Sequence, residues 1–107
     1  MVFSISKQYT DTPGPRYRRQ GDFSGEQFRE EHLESLFDVY KSSHTPVVIE
    51  LDGTFGYPTS FLEEAFGGLA REHPVSEVLA AFQFVATEQP SIVAEIINDI
   101  RHARDPR

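Results

Sequence analysis

Two stretches of the chain hold residues whose types and spacing can do chemistry. Pro15-Arg16-Tyr17-Arg18-Arg19-Gln20-Gly21 places three of the ten basic residues within four positions, with an aromatic among them. Guanidinium groups pair bidentately with phosphate and carboxylate, so Arg16, Arg18 and Arg19 are candidates for an anion clamp. The plainer reading is a solvated loop whose arginines pair with the chain's own carboxylates, and spacing alone favours it. The second stretch is Asp52–Ser60, a Gly- and Pro-containing segment following an apolar run. In open α/β sheets, sites form beyond the carboxyl ends of strands, and helix N-termini offer free amides to anions. Asp52, Tyr57, Thr59 and Ser60 are the candidate binding or regulatory residues there. Ser60 also has a structural duty as an N-cap, with Glu63 at the reciprocal capping-box position. Thr59 and Tyr57 have no such evident duty.

Other chemistries find no support. Gly53 and Gly56 match neither nucleotide-binding glycine fingerprint. Glu63-Glu64 and Glu30-Glu31 are adjacent pairs, about 100° apart on a helix, and cannot face each other as a catalytic dyad. His32, His44, His73 and His102 lack metal-ligand spacing. His73 near a helix C-terminus complements the dipole there. The chain has no cysteine, which excludes disulfides, thiolate nucleophiles and Cys-based zinc sites. No metal and no cofactor are expected.

The elements that must position these residues follow from pattern. With 107 residues the expectation is one domain over 1–107, with a charged tail at about 104–107 and fraying over Arg101–Arg107. A net charge of −7 argues against non-specific binding to nucleic acid or anionic membranes. No apolar run reaches the ~18–20 residues of a membrane span, and the N-terminus lacks a signal-peptide core. A cytoplasmic protein is the simplest expectation.

Val2–Ser6 alternates as a short strand. Gln8–Asp22 reads as a loop, in which Arg16–Arg19 can add an edge strand. Ser24 caps a helix over about Gly25–Lys41, with Gln27 at the capping-box position and Phe23 and Phe28 as a hydrophobic staple. Val47–Leu51 has the β-branched character of a central strand covered on both faces. A helix opens at Ser60 and runs past Gly67-Gly68, glycines that imply a close neighbour because each costs about 1 kcal/mol against alanine. Pro74 closes it, Ser76–Ala80 adds a turn, and Phe82–Ala86 is the last strand. Pro90 suits the first position of a final helix with a stripe of Ile92, Val93, Ile96, Ile97 and Ile100. Alternation of this kind predicts an α/β domain: about four strands, mostly parallel or mixed, flanked by three main helices.

These residues resemble a known family. Val47–Gly53 and Ser60-Phe61-Leu62-Glu63-Glu64-Ala65-Phe66-Gly67-Gly68-Leu69, with Thr12–Arg18 and Phe23–Phe28 upstream, are similar to the bacterial STAS-like domain family of unknown function. The resemblance implies the fold of sulfate-transporter and anti-sigma-factor-antagonist domains, a small sheet flanked by helices. In true antagonists a strand leads into an Asp-Ser-Ser/Thr-Gly turn at a helix start. A kinase phosphorylates the first hydroxyl residue, and the added charge breaks binding to that partner. The alignment puts Pro58 at the aspartate, Thr59 at the phosphorylated residue, Ser60 next and Phe61 at the glycine, so only the hydroxyl pair matches. The functional expectation is a non-enzymatic regulatory, protein-interaction module docking an ATPase- or kinase-like partner at Thr59/Ser60. The alternative is a sensor of a small anionic or phosphate-bearing ligand held by Arg16, Arg18 and Arg19. An enzyme using Tyr57, Asp52 and an arginine is a third reading.

Overall fold

The structure, a computed structural model, describes residues 1–106. Three short strands, β1 (Val2–Ser4), β2 (Val47–Glu50) and β3 (Phe82–Val85), form one parallel sheet in chain order, with β2 central. Phe3, Ile49 and Phe84 share one register row, while Val2, Val48 and Gln83 share the row beside it on the opposite face. The helices are α1 (Ile5–Gln8), α2 (residues 25–43), α3 (residues 59–72), α4 (Val75–Ala81) and α5 (Ser91–Arg101). Of these, α2, α3 and α5 are the three main ones.

Among the described residues the sheet has three strands rather than four. Arg16–Arg19 does not pair as an edge strand, because the Pro15 and Arg16 carbonyls instead accept the amides of Gly25 and Glu26 at the start of α2. Arg18–Gln20 winds into a 3₁₀ turn. The first strand stops at Ser4, whose hydroxyl accepts from the Lys7 amide and caps α1.

Strands in chain order joined by right-handed crossovers place their helices on the same side. The consequence is a sheet covered on one face. Phe3, Val47, Ile49 and Phe82 are buried beneath the helices, whereas Val2 and Val85 on the other face are 57% and 40% exposed. The expectation that β2 is covered on both faces is therefore corrected: Val48 and Glu50 are only half-buried.

Helix α2 begins as its sequence dictates, with the Ser24 hydroxyl accepting the Gln27 amide at 3.0 Å. Tyr9 stands within the staple, its ring meeting both Phe23 at 5.5 Å and Phe28 at 5.0 Å. The helix runs to Ser43 and ends where His44 takes a left-handed conformation. Pro90 caps α5 rather than occupying its first turn. Past α5 the chain stays docked: Ala103 is buried, and the Arg104 guanidinium donates to the Ala70 and His73 carbonyls at 3.1 Å each. The expected fraying thus fails at Arg104, and Arg107 lies outside the described residues. Among the described residues no helix is long and apolar enough to cross a membrane.

The core is aromatic at its centre. Phe28 stacks on Phe61 at 5.8 Å, Phe66 meets Phe84 edge-on at 5.5 Å, and Leu33, Leu62, Leu69, Ile96 and Ile100 complete the filling. Offset and edge-on pairs of this kind contribute about 0.5–1.5 kcal/mol each beyond their area.

Candidate functional site

Two polar regions flank the start of α3. The first is a crest above the carboxyl ends of β2 and β3, made by residues 51–58 and 86–90. Asp52 holds this crest together. Its carboxylate accepts the Thr87 hydroxyl at 2.6 Å and the Thr87 and Glu88 amides at 3.1 and 3.0 Å. The Thr87 hydrogen bond, helped by the two amides, lowers the Asp52 pKa and keeps it charged. In return Glu88 accepts the Gly53 amide at 2.6 Å. The Tyr57 hydroxyl donates to the Leu51 carbonyl at 2.7 Å, and burial pushes its pKa up to about 12. Two of the sequence candidates are thus engaged in bracing a loop.

That loop presents a residue which sequence reasoning passed over. Phe55, between glycine-containing turns, is 86% exposed, although its amide is fixed to the Asp11 carbonyl at 2.8 Å. A lone Phe in a loop gives no periodic signal, so only the fold reveals its exposure.

Helix α3 starts at Thr59 rather than Ser60. Pro58 occupies the cap position, with no side-chain hydrogen bond. The capping box expected at Ser60 and Glu63 does not form, because Pro58 takes the cap position, Ser60 lies inside the first turn and the Glu63 amide donates to the Thr59 and Ser60 carbonyls. The Thr59 side chain is exposed at the helix start, and its hydroxyl makes no hydrogen bond among the described residues.

The second region is an ionic seam between α2 and α3. Each helix widens into a π-turn, over Arg29–Leu33 in α2 and Glu63–Gly67 in α3. Such turns are scarce inside α-helices. Here they face each other. Arg29 reaches Glu64 at 3.1 Å and Glu72 at 3.4 Å, while Arg71 reaches Glu63 at 2.6 Å. Arg16 pairs with Glu63 from the upstream loop and lies 3.6 Å from Glu64. The Gly67-Gly68 pair has the close neighbour the sequence implied: a Cβ on Gly68 would lie 2.6 Å from Arg29 Nε, and one on Gly67 would lie 2.8 Å from a Glu63 oxygen. Asp99 of α5 backs the seam, with one buried oxygen lacking a hydrogen-bond partner among the described residues. Burial, reinforced by Glu63 and Glu95, pushes its carboxyl up to about 6.

The three arginines of the loop diverge. Arg16 goes to the seam. Arg18 pairs with Glu30 at 2.9 Å and Glu31 at 3.4 Å. Arg19 lies over the Tyr17 ring at 5.1 Å, beside an open hollow of about 510 Å³ shared with Arg18 and Glu26. A histidine-bearing cluster, Glu34, Glu72 and His73, has ligand atoms within 4.8 Å of one another; Glu34 already takes His73 Nε2 at 2.8 Å.

The two motifs that resemble the family, the arginine loop and the helix around Glu63–Gly68, therefore meet in space through Arg16. The family model described as the STAS-like domain of unknown function (DUF4325) matches residues 24–91. The chain belongs to this family. Searches of curated proteins and of solved structures each gave no match. Within this STAS-like domain the matched stretch takes in α2, β2, the crest loop, α3, α4 and β3, and leaves Arg16 upstream of it.

Proposed function

We propose that this STAS-like domain is a non-enzymatic regulatory module that docks an ATPase- or kinase-like protein through the crest loop, Thr59 and Ser60. The observation that carries the reading is Phe55: a braced loop holds a nearly fully exposed aromatic ring four residues before an exposed hydroxyl at a helix start. Interfaces draw their energy from a few rigid aromatic anchors of this sort. A charge added at Thr59 would sit at the positive end of the α3 dipole and alter the same surface, which is how a modification controls docking. The polar groups an enzyme would use support the same reading, since Asp52 and Tyr57 are tied to backbone and loop partners. The anion-sensing reading draws less support, because Arg16 and Arg18 are already compensated by Glu63, Glu30 and Glu31.

The test is photo-crosslinking in native lysate with a benzophenone amino acid at position 55, and at exposed Lys41 as control. An ATPase- or kinase-like protein captured from position 55 alone, and at least tenfold less with Thr59→Glu, is the expected result. Identical capture from both positions, or none from position 55, overturns the proposal.

A further inference from the structure

The crest encloses a hollow of about 210 Å³ between the loop after β2 and the loop after β3. That is room for several waters or one small ligand. It lies where open α/β sheets place their ligands, beyond the carboxyl ends of parallel strands. Its lining is more polar than apolar: the carboxylates of Asp52 and Glu88 stand beside Phe55 and Ala86 over the buried Leu51 and Ile92, and among the described residues no lysine, arginine or histidine lines it.

Each of these features selects against a class of ligand. Two carboxylates with no cation repel phosphate and carboxylate ligands. A bare divalent metal needs six or more oxygen ligands for calcium, or a near-ideal octahedron for magnesium. Here Asp52 accepts three hydrogen bonds and Glu88 one, which leaves too few fixed oxygens for either metal but leaves lone-pair sites, chiefly on Glu88, for an ammonium or guanidinium donor. An organic cation, by contrast, brings a hydrocarbon stem for Phe55 and Ala86 and a charge for the acids. The Phe55 ring at the rim adds a face on which ammonium or guanidinium groups rest favourably. Preorganisation favours it too, because the hydrogen bonds from the Phe55 amide to the Asp11 carbonyl and from the Tyr57 hydroxyl to the Leu51 carbonyl fix the loop before anything binds.

We propose that this hollow binds a small organic cation, an alkylammonium or guanidinium group, seated against Glu88 and Asp52 with Phe55 over it. The group belongs either to a free small amine or to a lysine or arginine side chain of a docked protein. The site is read on the isolated chain and stands whether or not the docking proposal holds.

The experiment is an amide-resolved NMR titration of the full chain at low ionic strength with n-butylammonium and ethylguanidinium. Butan-1-ol and butanoate serve as neutral and anionic controls. Saturable shifts confined to residues 51–57 and 86–92 are expected, with n-butylammonium bound at least tenfold more tightly than butan-1-ol. Glu88→Gln keeps an acceptor for the Gly53 amide but removes the charge, and should weaken n-butylammonium at least fivefold. Phe55→Ala should do the same without disturbing the spectrum elsewhere. Nα-acetyl-lysine methylamide separates the two sources: binding as tight as n-butylammonium assigns the site to a docked basic side chain, and its exclusion assigns it to a free amine. No shifts in these loops, equal affinity for butan-1-ol, or an unchanged affinity in Glu88→Gln overturns the proposal.

Discussion

The seam between α2 and α3 and the crest above β2 and β3 both hold paired acids, yet their acids face different partners. At the seam Glu63 and Glu64 face Arg16, Arg29 and Arg71, with Arg29 only 11% and Glu64 only 9% exposed. At the crest Asp52 and Glu88 face backbone amides and a threonine hydroxyl. Charges matched by opposite charges and shielded from water serve packing. Hydrogen bonds from amides satisfy a carboxylate's lone pairs while leaving its net charge free to act outward. The seam therefore serves packing, and the crest carries the proposed docking surface.

The sharpest way to break this contrast is to unbalance the seam. Glu64→Ala leaves the mostly buried Arg29 guanidinium with only the exposed Glu72 at 3.4 Å, and should cost about 3 kcal/mol in urea unfolding. A loss below about 0.5 kcal/mol would reduce the seam to a surface network. Gly68→Ala comes next. Helix propensity alone predicts a gain of about 1 kcal/mol, but the new methyl would press on Arg29 Nε. Overpacking of about 1–3 kcal/mol should turn the sign to a net loss of about 1 kcal/mol.

Asp99 tests the seam through pH. Its folded pKa of about 6 lies above the ordinary 3.8, so the folded state holds the proton more tightly. The stabilisation is complete below about pH 4 and is lost as pH rises through 6. The full difference corresponds to about 3 kcal/mol, reduced to about 1 kcal/mol because the carboxyl is half open to solvent. Asp99→Asn should thus raise stability by about 1 kcal/mol at pH 7.5, with the gain vanishing toward pH 4. A gain independent of pH would remove Asp99 ionisation from the account. The smallest expected effect is at the crest. Phe55→Ala should change stability by less than about 0.5 kcal/mol, since the ring is exposed. A larger loss would make Phe55 a packing residue and erase the contrast.

Much of the scaffold was legible beforehand because its causes are local. Ser24 and the period of Leu33, Leu36 and Phe37 announce α2, and the Ile92, Ile96, Ile100 stripe announces α5, all of them buried. The crest was legible only as a location, since Asp52 and Tyr57 were placed there without their partners. Phe55 was missed because exposure is not written in residue type. The pull on Glu63 leaves no local signal, because its partner Arg16 lies 47 residues away.

The sequence by itself determined the alternation of three strands with the main helices, a mostly parallel or mixed sheet and the presence of a close neighbour at Gly67-Gly68, but not α1 or the strand count. Each follows from spacing over a few turns or from the handedness of crossovers. Only the tertiary structure decided that the arginine loop caps α2 instead of adding a strand, that one face of the sheet stays open, and that acids meet arginines at the seam but amides and a threonine hydroxyl at the crest. Those outcomes depend on which groups from distant parts of the chain meet, and on whether an arginine or an amide fills each carboxylate's surroundings. No local pattern encodes that competition.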